Sequence, residues 1–122
     1  ATDSILSALG KLQKQITDLT TTVNREKGVN TVTTLAALPS TKRLVHATVT
    51  AATTMSLNAG MNIGEELHII VYNNSASAIT QNLPNSGSYV SVSGASISIP
   101  SYGYVEINVL RFGESVYLVR AV

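Results

Sequence analysis

The side chains able to do chemistry are few and scattered. His46 and His68 are the only histidines, cysteine is absent, and the acids are Asp3, Asp18, Glu26, Glu65, Glu66, Glu106 and Glu114. A Ser–His–acid arrangement needs a carboxylate to orient its imidazole. Both aspartates fall in an N-terminal helical stretch, and serine is too abundant to mark a nucleophile. Paired carboxylates of the glycosidase kind would have to come from Glu65, Glu66, Glu106 and Glu114. The adjacent Glu65 and Glu66 read more simply as the solvated entry to a strand. Two histidines on separate strands match no metal-ligand spacing, although a threefold axis could gather each into a ring. They are expected as partly exposed strand residues. Gly60-Met61-Asn62-Ile63-Gly64 lacks the lysine and hydroxyl of a phosphate-binding loop. Asn73-Asn74-Ser75 fits a glycosylation sequon and is expected to be a turn. No catalytic, metal or cofactor-binding residue is assigned, and the chain is not expected to be an enzyme.

The best ligand-binding candidates are Tyr89, Tyr102 and Tyr104. Tyrosine offers an apolar ring with a polar tip and is enriched at interfaces. All three lie at or beside turn signals, so they are expected to gather at one end of the fold. The alternative is that they pack beneath those turns.

Composition bounds the partners. The chain has 122 residues, a formal charge of +1 and 12% charged residues. That is too neutral for a surface that tracks phosphates, so no nucleic-acid partner is expected. No apolar run is long enough for a transmembrane helix. The N-terminus lacks the basic-then-apolar pattern of a signal peptide, and the sequence begins at Ala1 rather than Met, so residues can precede it.

The element that organises the chain is the stretch 5–23. Its apolar residues Ile5, Leu9, Leu12, Ile16, Leu19 and Val23 recur at alternating gaps of four and three. That is a heptad seam, with Leu9, Ile16 and Val23 at a and Ile5, Leu12 and Leu19 at d. Thr2, Asp3 and Ser4 can cap its start, and Gly28 can terminate it. Arg25 and Lys27 suit the negative end of the helix dipole. The result is a coiled-coil stalk over residues 1–28, a rod of roughly 35 Å. Three heptads ending in Thr20, Thr21 and Thr22 make a weak helix on its own, so the remainder of the chain is expected to hold the oligomer. The seam leaves two or three strands open.

After Gly28 the period changes to two, and residues 29–122 form a β head. Alternation predicts strands at 29–33, 42–51, 54–58, 66–72, 78–83, 89–93, 97–99, 104–110 and 116–121. Val45, Ala47 and Val49, then Leu67, Ile69 and Val71, then Val105, Ile107 and Val109 point inward. Tyr104, Glu106 and Asn108 point outward. With no helical pattern between strands, the class is α+β: a helix followed by an antiparallel sandwich or barrel-like head. Aromatic residues are 5% and tryptophan is absent. Such a thin core is expected to gain from burial between copies, with outward-facing Leu44, Ile70 and Leu110 at the contact.

Four segments carry a likeness to a known family. They are Leu35-Ala36-Ala37-Leu38-Pro39-Ser40-Thr41-Lys42-Arg43, Ile63-Gly64-Glu65-Glu66-Leu67-His68-Ile69, Leu83-Pro84-Asn85-Ser86-Gly87-Ser88-Tyr89 and Tyr102-Gly103-Tyr104-Val105-Glu106-Ile107. With the stalk, they resemble the short trimeric fibre proteins of tailed bacteriophages, most of all the head fibres of crAss-like phages of gut Bacteroides. The resemblance spans most of residues 35–122 and includes no catalytic signature. It implies a homotrimer on the virion surface, mounted on a capsid or other virion protein, that decorates the particle or aids attachment to a host glycan or protein. The long repetitive shaft of tail fibres is missing, which favours a capsid-mounted fibre. The alternatives are the receptor-binding tip of a tail fibre and an adhesin-like module.

Overall fold

A computed structural model of the chain describes residues 2–58 and 60–122. It holds one helix, α1 (Thr2–Glu26), and eight strands: β1 (Val29–Val32), β2 (Leu44–Val49), β3 (Glu66–Asn73), β4 (Ile79–Asn82), β5 (Tyr89–Ser91), β6 (Ser96–Ile99), β7 (Tyr104–Gly113) and β8 (Val116–Ala121). The chain is thus mostly sheet with a single N-terminal helix.

Helix α1 begins at Thr2, so the expected capping residues Thr2, Asp3 and Ser4 lie within its first turn rather than before it. It ends two residues before β1. Gly28 takes φ +87°, the left-handed conformation that closes a helix and that glycine adopts without a Cβ penalty. Thr17 and Thr20 turn their hydroxyls back on the carbonyls of Gln13 and Ile16, at 3.0 and 2.9 Å. Back-bonding of this kind slightly weakens a helix. The side chains of Thr21, Thr22, Asn24, Arg25 and Glu26 lie outside the described residues, and with them the dipole role expected of Arg25.

Six strands form one sheet in the order β1-β2-β3-β7-β8-β5, and β4 and β6 form a separate ribbon. The sheet is mixed, which corrects the antiparallel expectation. The pairs β1–β2, β2–β3 and β5–β8 are parallel, while β3–β7 and β7–β8 are antiparallel. A parallel pair needs a crossover on one face of the sheet, commonly a helix. Here irregular chain does that work. The crossover after β1 buries Leu35 and Leu38, and the one after β2 buries Met55 and Met61. The two crossovers are stitched together. Leu38 N–H donates to the Ser56 carbonyl at 2.8 Å, Ser56 N–H to that of Leu35 at 3.1 Å, and Asn58 N–H to that of Leu38 at 2.9 Å. The strand expected at 54–58 is reduced to one bridge, between Leu57 and Leu38.

The crossovers and the β4–β6 ribbon cover one face of the sheet only. Val45, Ala47, Val49, Leu67, Ile69, Val71, Ile107, Val109 and Val119 line that inner face and share a single core with Leu35, Leu38, Met55, Met61, Ile79, Leu83 and Ile99. The inward residues expected of β2 and β3 are all buried; on β7, Ile107 and Val109 are buried and Val105 is half-buried. Two buried amides fasten this layer. Gln81 donates to the Thr53 carbonyl at 2.6 Å and accepts from Thr53 N–H at 3.3 Å, tying the ribbon to the second crossover. Asn73 donates to the carbonyls of Ser77, Ile99 and Pro100 at 2.8, 3.2 and 3.1 Å. The sequon asparagine is therefore fully buried at the end of β3, which makes it a structural pin for the turn that follows.

Candidate functional site

The opposite face of the sheet has no covering layer among the described residues. The register places Leu44, His46 and Thr48 of β2 beside His68, Ile70 and Tyr72 of β3. Next come Tyr104, Glu106, Asn108 and Leu110 of β7, then Leu118 and Arg120 of β8. Most of these side chains are half-buried by their neighbours alone. The three aliphatics singled out from the pattern, Leu44, Ile70 and Leu110, all fall on this face.

Both glutamates on it have a partner in the same chain. Glu106 Oε1 lies 3.3 Å from His68 Nδ1, and Glu66 lies 3.9 Å from Arg120. His46 and His68 share the face on neighbouring strands but are not directly opposite one another. Among the described residues no group of three or more His, Cys, Asp or Glu could hold a metal ion. Asn108 is outward by register, as expected, yet only 6% exposed. It sits between His68 and Arg120 in the ladder, and its Oδ1 is sealed without a hydrogen-bond partner. An unmet buried acceptor costs about 1–3 kcal/mol.

The three tyrosines do not come together, which corrects the expectation of one cluster. Tyr104 opens β7 on the uncovered face, with its ring 4.7 Å from that of Tyr72 and 6.5 Å from that of His46. Tyr102 lies two residues earlier, 59% exposed. Tyr89 belongs to the covered side at the far edge of the sheet, stacked on Tyr117 at 5.3 Å, with the Arg111 guanidinium 5.9 Å from the Tyr117 ring. Because Tyr117 pairs with Arg111 near the end of β7, the two aromatic groups are separated by roughly 20 Å along the strand. Alternation cannot reveal this. It places residues on faces but does not say which strands become neighbours.

The two groups occupy distinct settings. Tyr89 borders an open groove of about 520 Å³ together with Thr53, Thr54, Met55, Asn82 and Leu83. Tyr72, Tyr102 and Tyr104 lie at the end of the sheet remote from the helix, since α1 enters at Val29, level with Leu44 and His68. The turn that carries Tyr102 is closed by Gly103 N–H donating to the Pro100 carbonyl at 2.9 Å. Tyr102 itself takes φ +51°. That conformation suits glycine or asparagine at this point of a turn and is an outlier for a bulky side chain.

Along α1 the seam residues are bare. Ile5, Leu9, Leu12, Ile16, Leu19 and Val23 are between 40% and 66% exposed on one stripe. No helix among the described residues is long and apolar enough to cross a membrane. No family model, no curated protein and no solved structure matches the chain.

Proposed function

We propose that this chain is the subunit of a homotrimeric structural fibre, displayed on the surface of a bacteriophage particle and mounted there through a capsid or other virion protein. Its task is display and attachment rather than chemistry. The observation that carries the reading is the seam of α1. A heptad stripe of six aliphatics left exposed among the described residues needs other copies, because an isolated helix of this length and composition would not persist in water. The choice of three copies and of a virion rests on the resemblance of the head segments to phage head fibres. Light scattering on the purified protein tests it. A mass about three times the 12.8 kDa of one chain is expected, and a stable monomer would overturn the reading.

A second reading, an adhesin-like tip, is favoured by Tyr102. A bulky exposed ring held at positive φ, at the end remote from the stalk, is the kind of local strain that accompanies contact with a ligand. Binding of the protein to a glycan array, lost on Tyr102→Ala, would support it. An array without signal would leave display as the whole function.

A further inference from the structure

The seam explains how the helices meet but leaves open how the heads meet. We infer that the uncovered face of the six-stranded sheet, centred on Ile70 and Tyr72 of β3, is where the heads of different copies join. Each sheet turns that face toward the common axis. The inference rests on the oligomeric reading above and deepens it.

Three observations support a second copy as the occupant. First, only Lys27 and Gly28 separate α1 from β1. Helices joined along the seam therefore hold their heads a few residues from the axis. Short tethers of this kind raise the local concentration to roughly the millimolar range. The tether then adds to the affinity of the faces themselves.

Second, the face is suited to burial against protein. Leu44, Ile70, Leu110 and Leu118 supply aliphatic surface, and Tyr72 and Tyr104 supply stacked rings. Each acid on it already has a partner, Glu106 hydrogen-bonded to the His68 ring and Glu66 beside Arg120. Closing the face leaves those contacts in place, which lowers the cost of burying the carboxylates. The same pairing gives a polyanion nothing to hold.

Third, the size fits. Six strands spaced about 4.8 Å apart and some 20 Å long present on the order of 500 Å². The face is mixed, with Leu44, Ile70, Leu110 and Leu118 interleaved with His46, His68, Glu106 and Arg120. Added to the contact along the stalk, it reaches the scale of about 800 Å² per partner found in stable interfaces.

Because the chain has no cysteine, a single introduced thiol reports contact between copies. Ile70→Cys lies at the centre of the proposed contact, and Thr48→Cys, beside Tyr72 on the same face, serves if the first variant folds poorly. Thr80→Cys, exposed on the β4–β6 ribbon, is the control. Full-length variants at micromolar concentration are oxidised mildly, run on a non-reducing gel and weighed by light scattering.

Disulfide-linked pairs are expected at least fivefold above the Thr80→Cys background. Around a threefold axis the yield should level off near two thirds of the chains, since a thiol at the axis can pair only two of three. A trimer whose Ile70→Cys and Thr48→Cys variants cross-link no better than the control would overturn the face assignment and leave the fibre reading standing. A dimer with strong cross-linking would support the face and remove the threefold fibre. A monomer, including one in which the chain's own helix shields Ile70, would overturn both.

Discussion

Tyr102 is held at a cost to the fold. A side chain at φ +51° gives up about 1 kcal/mol relative to glycine in the same conformation. Tyr102→Gly should therefore raise the melting temperature of the head, and a scanning calorimeter would read the gain directly. A lower melting temperature would mean that the ring supports the turn through contacts that outweigh the strain. Asn73 presents the reverse case. Its two amide N–H groups are shared among three carbonyls of two separate turns while the side chain is wholly buried. Asn73→Ala removes those bonds and leaves the buried Ile99 carbonyl unmet, so a loss of about 1–3 kcal/mol in urea denaturation is expected. The two residues also mark what could be read in advance. Asn73 belonged visibly to a turn, but its burial depends on Ile99 and Pro100 arriving from far along the chain. Gln81 lay in an expected strand at 78–83, but its burial beside Ile79 and Leu83 and its role appear only when Thr53 is seen opposite it.

Single elements were legible wherever period and burial agreed. Helix α1 was visible through its heptads and Gly28, and β2 and β3 through strict alternation, because one side of each is packed and the other bare. Pairing direction was not legible. A strand with one packed face alternates in the same way whether its neighbour runs parallel or antiparallel, and the crossovers carry no helical period to betray a parallel pair. Buried Leu35, Leu38, Met55 and Met61 were the available sign of a layer over the sheet. Two experiments test individual elements. Leu12→Asp with Ile16→Asp places charges in the seam. It should abolish the helical circular-dichroism signal while the head stays folded and associated, since α1 is marginal by itself. A monomer by sedimentation would assign the assembly to the stalk instead. Removing residues 116–122 deletes β8, the sheet neighbour of β5 and one side of β7. We expect no soluble, cooperatively melting protein from that truncation, because it orphans β5 and opens a bare sheet edge.

At the scale of the whole molecule, the sheet order β1-β2-β3-β7-β8-β5 sets how fast the protein can form. Only β7 and β8 are joined as a tight hairpin. Every other ladder of this sheet spans a long loop: Val29 meets Leu44, Leu44 meets His68, Tyr72 meets Tyr104 and Tyr89 meets Tyr117. Each of these loops must close, at an entropic cost, before its contacts repay it. Sheets dominated by such distant pairings fold on the order of milliseconds to seconds, far slower than helical proteins of similar size. Stopped-flow refolding should show the sheet signal rising on that timescale, with the β7–β8 hairpin protected from hydrogen exchange before β5. Until β8 is in place, β5 remains an unpaired strand carrying exposed Val90, with exposed Val92 just beyond its end. In the proposed oligomer, the tether that brings finished heads together also holds unfinished ones side by side. Correct assembly is therefore a race between closure of the last ladder within one chain and strand exchange between neighbours.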